Sequence, residues 1–187
     1  MRVFIAVDLS AEVLEKIGLL QKKLRSQCSQ KGGATWVRPE LMHVTLKFIA
    51  DIDEAKLPDL MSIVSGIAAE THGFGVTVET VGTFGRPARI LWVGLTDRQE
   101  HLAEIAARLE TGLEALGVEK EGRPFVGHLT LCRIKDYKFG REISRLVEHL
   151  GVSKFGSFNV NALSIYKSQL TPTGPVYTLL GKFELNS

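Results

Sequence analysis

Apolar residues follow two different spacings along this chain, and the changes between them predict its secondary structure. Helical spacing of apolar residues predicts four amphipathic helices. Their apolar positions are Val13, Ile17, Leu20 and Leu24; Leu57, Leu60, Val64 and Ile67; Leu102, Ile105, Leu109, Leu113 and Leu116; and Ile143, Leu146, Val147 and Leu150. Runs rich in β-branched and aromatic residues predict strands. These runs are Val3–Asp8, His43–Ile49, Phe74–Val81, Ile90–Leu95, His128–Ile134, Phe158–Tyr166 and Val176–Phe183.

The predicted elements occur in the same order twice. Each unit runs strand, helix, strand, helix, strand, and one further strand follows across a loop of turn residues at 171–175. Ser10 and Asp53 are predicted helix caps, and Thr96 with Gln99 matches the capping-box pattern.

No linker or low-complexity segment separates the two units. We therefore predict a single domain over 1–187, with repeat units of about 1–86 and 87–187 whose lobes interleave. The fold class is α+β: a bilobal, pseudo-twofold duplicated fold in which each lobe is an antiparallel sheet with two helices, with an active-site cleft between the lobes.

One sequence motif occurs at the same place in both units. Arg38-Pro39, three residues and His43-Val44-Thr45-Leu46 return as Arg123-Pro124, three residues and His128-Leu129-Thr130-Leu131. A single His-x-Thr is a weak pattern, but two copies with matching flanks indicate a duplicated structural unit. Pseudo-twofold symmetry can bring equivalent residues face to face.

The repeated motif offers the groups needed for acid–base chemistry on a phosphate. In a strand each histidine points the same way as its threonine and away from its leucine. Imidazole has a pKa near 6.5, so one histidine can be neutral and the other protonated near pH 7. In-line displacement at phosphorus uses a base on one side and an acid on the other. The alternative is that both histidines are structural, which does not explain why histidine occurs twice on one face.

Composition and charge limit the protein class, the cellular location and the kind of ligand that we expect. The chain has 187 residues, of which 44% are hydrophobic and 24% are charged, as in ordinary globular proteins. No segment reaches the roughly 20 apolar residues of a membrane span, and the N-terminus does not resemble a secretory signal, so we expect a cytoplasmic protein. Cys28 and Cys132 form no disulfide framework. The net charge of +2 argues against an extended duplex-binding surface and permits a small anionic ligand.

These residues resemble the 2H phosphoesterase superfamily, which is defined by two His-x-(Ser/Thr)-apolar motifs in a bilobal fold. Within it, the chain is most similar to the RNA 2′,3′-cyclic phosphodiesterases, also called 2′-5′ RNA ligases. The resemblance spans nearly the whole chain. It includes Phe4-Ile5-Ala6-Val7, Trp36-Val37-Arg38-Pro39, the first motif with Lys47-Phe48, Phe84 before Ile90-Leu91-Trp92-Val93-Gly94, the second motif with Cys132-Arg133, Tyr166-Lys167-Ser168, and Gly174-Pro175-Val176-Tyr177.

The resemblance implies a role for each motif residue. His43 would be the proton donor to the departing ribose O3′, and His128 would be the proton acceptor that activates water. Thr45 and Thr130 would hold the phosphate, and hydrolysis would leave a 2′-phosphomonoester. Neither a metal nor a cofactor is expected. The partners expected are RNA ends or nucleotides carrying a 2′,3′-cyclic phosphate, with no membrane, no obligate protein partner and a monomeric state.

Two further residues carry over from the family: Arg133 as a phosphate ligand and Phe48 as a base-stacking aromatic. Both lie five residues after their histidines, so an ideal strand turns them away from the cleft, and a bulge or the end of the strand would restore them. Otherwise Phe48 belongs to the core. The same alternation places Cys132 beside His128 and Thr130, which makes a metal site conceivable, although no second close-spaced ligand accompanies it.

Other candidate residues and activities remain open from the sequence. We expect His72, His101 and His149 to be solvated surface residues, and Trp36 and Trp92 to pack in the protein rather than stack on bases. The same motifs would also suit 2′-5′ oligonucleotide cleavage, opening of ADP-ribose cyclic phosphate, or RNA end joining by the reverse reaction. A module that binds nucleotide or RNA without cleaving it is the alternative from another functional class.

Overall fold

A computed structural model describes residues 1–29, 32–150 and 153–186. It has four α-helices: α1 (Ala11–Gln27), α2 (Leu57–Ala69), α3 (His101–Leu113) and α4 (Tyr137–Glu148). It has nine strands: β1 (Val3–Val7), β2 (Ala34–Trp36), β3 (Val44–Ile49), β4 (Phe74–Phe84), β5 (Ile90–Thr96), β6 (His128–Ile134), β7 (Lys154–Val160), β8 (Ala162–Thr171) and β9 (Gly174–Glu184). All four predicted helices and six of the seven predicted strands are therefore present. The seventh predicted strand, Phe158–Tyr166, is divided between β7 and β8, and the short β2 is an addition.

The strands form two antiparallel sheets that draw on both halves of the chain. The four-stranded sheet has the order β3-β1-β8-β9, and the five-stranded sheet has the order β2-β6-β5-β4-β7. Each sheet thus combines strands from the first and second repeat units. In the four-stranded sheet β1 pairs with β3 and with β8, and in the five-stranded sheet β4 pairs with β5 and β7. The α+β fold class with two antiparallel sheets and four helices is confirmed.

Each sheet is covered by two helices on one face only. Helices α2 and α3 pack on the four-stranded sheet, while α1 and α4 pack on the five-stranded sheet. Apolar side chains fill the space between, including Ile5, Ile17, Leu60, Leu109 and Leu129. Burial of these side chains is the main favourable contribution to folding. The opposite face of each sheet stays free of helices and carries the residues of the site. In the described ranges, no helix has the length and apolar character needed to cross a membrane.

The helix caps follow the sequence prediction in one case out of three. The Ser10 hydroxyl accepts a hydrogen bond from the Val13 N–H at the start of α1, as predicted. Asp53 caps a 3₁₀ turn, Glu54–Lys56, that precedes α2 rather than the helix itself. The predicted Thr96–Gln99 capping box is wrong: the Asp97 carboxylate instead accepts from the N–H of Gln99, before α3, and from the N–H of Leu102, in the first turn of α3. Asp is a strong cap because its charge also favours the helix N-terminus.

The predicted strand Phe158–Tyr166 is also wrong as a single element. The chain forms β7 up to Val160, leaves the five-stranded sheet at Asn161, and enters the four-stranded sheet as β8 from Ala162. Apolar residues continue through the crossing, so the pattern alone gives no sign that the strand changes sheets. This crossing connects the two sheets.

Candidate active site

Matching β-bulges occur in the two motif strands. In β3, Thr45 pairs with Ala6 and Lys47 pairs with Ile5, so Leu46 is an extra residue without a partner. In β6, Thr130 pairs with Trp92 and Cys132 pairs with Leu91, which makes Leu131 the extra residue. A bulge shifts the alternation of side chains by one position beyond it. The same irregularity therefore occurs at equivalent leucines of the repeated motif.

The bulges turn the fifth residue after each motif histidine back to the helix-free face. Phe48 is 39% exposed and pairs across the sheet with Phe4, whose ring stacks on the His43 ring. Arg133, at the equivalent position of β6, is exposed. Phe48 is consequently not a core residue. The structure places it with His43 and Thr45, and it places Arg133 with His128 and Thr130.

The bulge at Leu131 also puts Cys132 on the face opposite to the one that strict alternation predicts. Its side chain is fully buried on the helix-covered face, away from His128 and Thr130. Burial raises the pKa of the Cys132 thiol to about 12, so it is not a thiolate near neutral pH. The conceivable metal site of two histidines and this cysteine does not form. Among the described residues, no group of three or more metal-ligating side chains is found.

Both motif histidines are fixed by the same backbone contact. Nδ1 of His43 lies 2.9 Å from the Leu41 carbonyl oxygen, and Nδ1 of His128 lies 2.8 Å from the Val126 carbonyl oxygen. A carbonyl only accepts, so each Nδ1 carries the proton and each Nε2 is the atom that can gain or lose one. Neither Nε2 has a hydrogen-bond partner in the part of the chain that the structure describes.

The His43 ring is set among aromatic side chains of the four-stranded sheet. Phe4 stacks on it with ring centroids 4.3 Å apart, and Tyr177 presents its edge at 5.4 Å. Burial lowers the pKa of His43, while its bond to the Leu41 carbonyl and the nearby Asp8 carboxylate oppose that decrease. In the free protein the neutral imidazole is therefore favoured near pH 7.

A polar network supports Asp8 beside this ring. Its carboxylate accepts hydrogen bonds from the Ser164 and Tyr166 hydroxyls, both at 2.8 Å. Burial, together with this bond to Asp8, raises the pKa of Tyr166 to about 12, so the phenol stays protonated and keeps donating. Tyr166 also stacks on Phe4. Asp8 thus holds a negative charge near His43 in a fixed position.

His128 has different neighbours on the five-stranded sheet. The Phe84 ring meets it edge-on at 5.2 Å and also packs on Trp92. The Trp92 indole lies directly over Gly82, where a Cβ atom would come within 2.3 Å of the ring. Trp92 therefore packs against the sheet as predicted, although it does so on the helix-free face that also holds Thr130.

Tyr177 connects the two halves of the site. Its ring contacts His43 on the four-stranded sheet, and burial raises the pKa of its hydroxyl. The charge of Arg133, on the five-stranded sheet, opposes that increase. The two motif strands, β3 and β6, are in contact with each other, so the helix-free faces of the two sheets meet at one cleft. No described residue forms a hydrogen bond with the Thr45 or Thr130 hydroxyl, so both are free for a ligand.

Buried polar residues beneath each bulge hold it in place. Gln21 of α1 donates from Nε2 to the carbonyl oxygens of Val37 and Leu131 at 2.8 and 2.9 Å. Beneath the other bulge, the Lys47 ammonium lies 2.7 and 2.8 Å from the two Glu110 carboxylate oxygens. A buried charge requires such a partner.

Of the remaining predictions for histidine and tryptophan, most are correct. His72 and His149 are exposed as expected. His101 is not a solvated residue: it is half-buried, stacks on Phe74 at 4.6 Å and bonds to Asp97 at 3.1 Å. Trp36 packs on the helix-covered side, where the Arg25 guanidinium lies over its ring.

Sequence reasoning missed several residues around the site, chiefly Phe4, Asp8, Gln21, Phe84 and Tyr177. Phe4, Phe84 and Tyr177 belong to segments quoted for the family resemblance, so a signal existed for these aromatics. Asp8 and Gln21 gave none, because an acidic residue after a strand and a glutamine in a helix are both ordinary.

Comparisons with known proteins agree with this geometry. The profile of the family described as LigT like Phosphoesterase matches residues 7–92 and, a second time, residues 93–177. Among curated relatives, an RNA 2′,3′-cyclic phosphodiesterase of Thermotoga maritima is 33% identical over 182 residues, which cover 96% of this chain and 93% of the relative. One of the same name from Archaeoglobus fulgidus is 32% identical over 186 residues, covering 98% and 100%.

Solved structures show the same fold. The protein TT0787 of Thermus thermophilus superposes with a TM-score of 0.82 at 28% sequence identity, covering 99% of this chain and 98% of that one. The apo form of Escherichia coli LigT superposes with a TM-score of 0.77 at 24% identity, covering 100% and 98%. The two-sheet architecture is therefore shared over the full length of each protein.

Proposed function

Because the chain belongs to the LigT-like phosphoesterase family, we propose that it is an enzyme that hydrolyses 2′,3′-cyclic phosphodiesters of RNA or nucleotides to 2′-phosphomonoesters. Relatives that are 33% and 32% identical over nearly their full length are named RNA 2′,3′-cyclic phosphodiesterase. The observation that carries the proposal is the pair of equivalent histidines, each with Nδ1 held by a backbone carbonyl and Nε2 free.

His128 is the proposed base. Its Nε2 takes a proton from water, and the resulting hydroxide attacks phosphorus in line with the departing ribose oxygen. The Val126 carbonyl accepts from Nδ1–H, which keeps the lone pair of the neutral ring on Nε2 and stabilises the imidazolium that forms. The ring is fixed, so little reorganisation accompanies the transfer.

His43 is the proposed acid that protonates ribose O3′ from Nε2. Burial lowers its pKa in the free protein, which favours the neutral ring and opposes this role. A bound phosphodiester anion acts in the opposite direction, because a negative charge beside an imidazole favours its protonated form. Asp8 adds to this effect. The substrate thus promotes protonation of the group that later gives up the proton.

The remaining motif residues are proposed to bind the substrate. Thr45 and Thr130 donate hydroxyl hydrogen bonds to the non-bridging phosphate oxygens without adding negative charge. Arg133 balances the charge that develops at phosphorus. Phe48, 39% exposed on the face shared with His43, stacks on the base of the terminal nucleotide.

The two repeat units are proposed to act as one domain over 1–187, because each sheet needs strands from both units. One histidine and one threonine come from each unit, so neither unit alone has a complete site. A cytoplasmic location, a monomeric state and reverse 2′-5′ ligation remain predictions from the sequence.

The test is hydrolysis of an oligonucleotide that ends in a 2′,3′-cyclic phosphate, measured in EDTA, with the position of the product phosphate mapped. A 2′-phosphate formed at the same rate with and without EDTA supports the proposal. Thr45→Ala and Thr130→Ala should each retain more activity than either histidine-to-alanine variant, because each removes one hydrogen bond rather than a proton-transfer group. A 3′-phosphate product, or loss of turnover on chelation, contradicts the mechanism.

A further inference from the structure

One end of the five-stranded sheet carries a group of basic side chains, of which the proposed reaction uses one. The group lies where β6 ends, the β4–β5 hairpin turns and α4 begins. It comprises Arg86, Arg89, Arg133 and Lys135, all of them exposed, and we call it the hairpin track. Only Arg133 has a place in the proposed mechanism.

Backbone contacts hold these positions together. Ile90 pairs with Arg133 across β5 and β6, and the next residue of β6, Ile134, donates its N–H to the Arg89 carbonyl at 2.8 Å. The Arg89 guanidinium donates from Nη1 to the Lys135 carbonyl at 3.1 Å. The hairpin is thus joined to the end of β6, and one guanidinium is already oriented while its other N–H groups stay available.

Helix α4 packs directly on the hairpin. A Cβ atom at Gly140 would lie 2.5 Å from the Ala88 carbonyl oxygen, so the two backbones are in close contact there. Tyr137, the first residue of α4, is 56% exposed. An exposed aromatic ring among cations is typical of surfaces that bind single-stranded nucleic acid.

The track is continuous with the cleft at two points. Arg133 lies close enough to Tyr177 for its charge to act on that phenol, beside His43. Phe84 contacts the His128 ring and stands at the base of the hairpin, where its carbonyl accepts from the Arg89 N–H at 2.7 Å. A chain leaving the cleft on this side reaches the hairpin directly.

The charges of the track are not neutralised within the protein. Across residues 1–29, 32–150 and 153–186, none of its four cations forms an ion pair. The carboxylate nearest in sequence, Asp136, accepts from the Phe139 N–H as the cap of α4. The excess of positive charge attracts a polyanion, and surface cations of this kind bind phosphates by releasing counterions.

We propose that the hairpin track binds the phosphodiester backbone upstream of the cyclic phosphate, so that the preferred substrate is an RNA chain rather than a mononucleotide. This inference rests on the proposed function, which supplies the cyclic-phosphate end in the cleft. Successive phosphates contact the arginines and Lys135, and Tyr137 stacks on an upstream base.

The test compares a charge-removing pair in the track with a matched pair elsewhere. Arg86→Gln/Lys135→Gln removes two cations whose side chains form no hydrogen bond among the described residues. Lys22→Gln/Arg98→Gln removes two exposed cations outside the track that form none there either. Binding of a labelled RNA oligonucleotide ending in a 2′-phosphate is measured by anisotropy at several salt concentrations, and hydrolysis of a cyclic mononucleotide is measured alongside.

Each phosphate contact on a single strand contributes a salt slope of about 0.7, which corresponds to about fivefold in affinity at about 0.1 M salt. The track pair should therefore weaken oligonucleotide binding about 25-fold and lower the slope by about 1.4. Mononucleotide hydrolysis and the melting temperature should match the wild-type protein. The control pair should leave all of these values near wild type.

Equal loss of oligonucleotide affinity in the two pairs, or none in the track pair, overturns the proposal. Arg89→Gln provides a third readout, since its amide can keep the bond to Lys135 while the charge is lost. The binding measurement does not depend on turnover. Failure to hydrolyse any cyclic phosphate would refute the proposed function. Unchanged oligonucleotide binding by the track pair would refute only the proposed role of the hairpin track.

Discussion

Gln21 offers a direct test of the idea that the bulge at Leu131 organises half of the site. The side chain is 6% exposed, and its Nε2 donates to the Val37 and Leu131 carbonyls. Gln21→Leu removes both donors. In this variant the Leu131 oxygen still accepts a hydrogen bond from the Val37 N–H at 2.9 Å. It loses only the hydrogen bond from Gln21, which costs about 1 kcal/mol. The Val37 oxygen loses its side-chain donor in a buried setting, which costs about 1–3 kcal/mol.

The free energy of unfolding should therefore fall by about 2–4 kcal/mol. For a chain of this length, each kcal/mol lowers the melting temperature by about 2–4 °C. Calorimetry should show a decrease of roughly 5–15 °C. Hydrolysis should fall about tenfold to a hundredfold below the melting range, because a bulge that relaxes moves Thr130 and Arg133 by a fraction of an ångström or more.

Gln27→Leu is the matched control, since it makes the same substitution at an exposed position of the same helix. Its stability should stay within about 0.5 kcal/mol of wild type. Similar stability and activity in the Gln21 and Gln27 variants would refute the assignment of Gln21 to the support of the bulge.

Two further predictions concern the four-stranded sheet. Glu110→Gln should lower the free energy of unfolding by about 2–4 kcal/mol in denaturant titrations, because it leaves the buried Lys47 charge without a counter-ion. Glu114→Gln, which breaks an exposed ion pair, should cost at most about 1 kcal/mol, and equal losses would contradict this interpretation. Asp8→Asn should lower the pKa of His43 further, since the carboxylate opposes the effect of burial, and an NMR titration that shows an unchanged or higher pKa would contradict the electrostatic role of Asp8.

The elements and the motif chemistry could be predicted because their signals are local. Helical spacing such as Val13, Ile17, Leu20 and Leu24 follows from burying one face of one helix. The repeated motif has the same residue types at the same spacing. His43 and His128 could therefore be recognised as equivalent residues without knowledge of the sheet topology. The overall class of two antiparallel sheets with four helices follows from the order of these elements.

The exact placement around the histidines could not be predicted, because it depends on partners distant in sequence. Whether Phe48 faces the cleft is decided by its pairing with Phe4 on another strand, and strict alternation from His43 gives the opposite answer. Cys132 was misplaced for the same reason. The capping of α3 by Asp97 and the burial of His101 against Phe74 likewise depend on local competition and tertiary packing.

The central claim is that His43 and His128 have opposite proton-transfer roles, and one pair of substrates tests it most directly. Hydrolysis by His43→Ala and His128→Ala is measured on a normal 2′,3′-cyclic phosphate and on an analogue in which sulfur replaces the departing O3′. A thiolate leaves without a proton, so the analogue removes the need for an acid but not for a base. On the normal substrate, each variant should lose about 10²- to 10⁴-fold in turnover. On the sulfur analogue, His43→Ala should regain most of that loss, while His128→Ala should not. Recovery by His128→Ala instead would show that the roles are reversed, and near wild-type turnover in both variants on the normal substrate would contradict a catalytic role for the histidines.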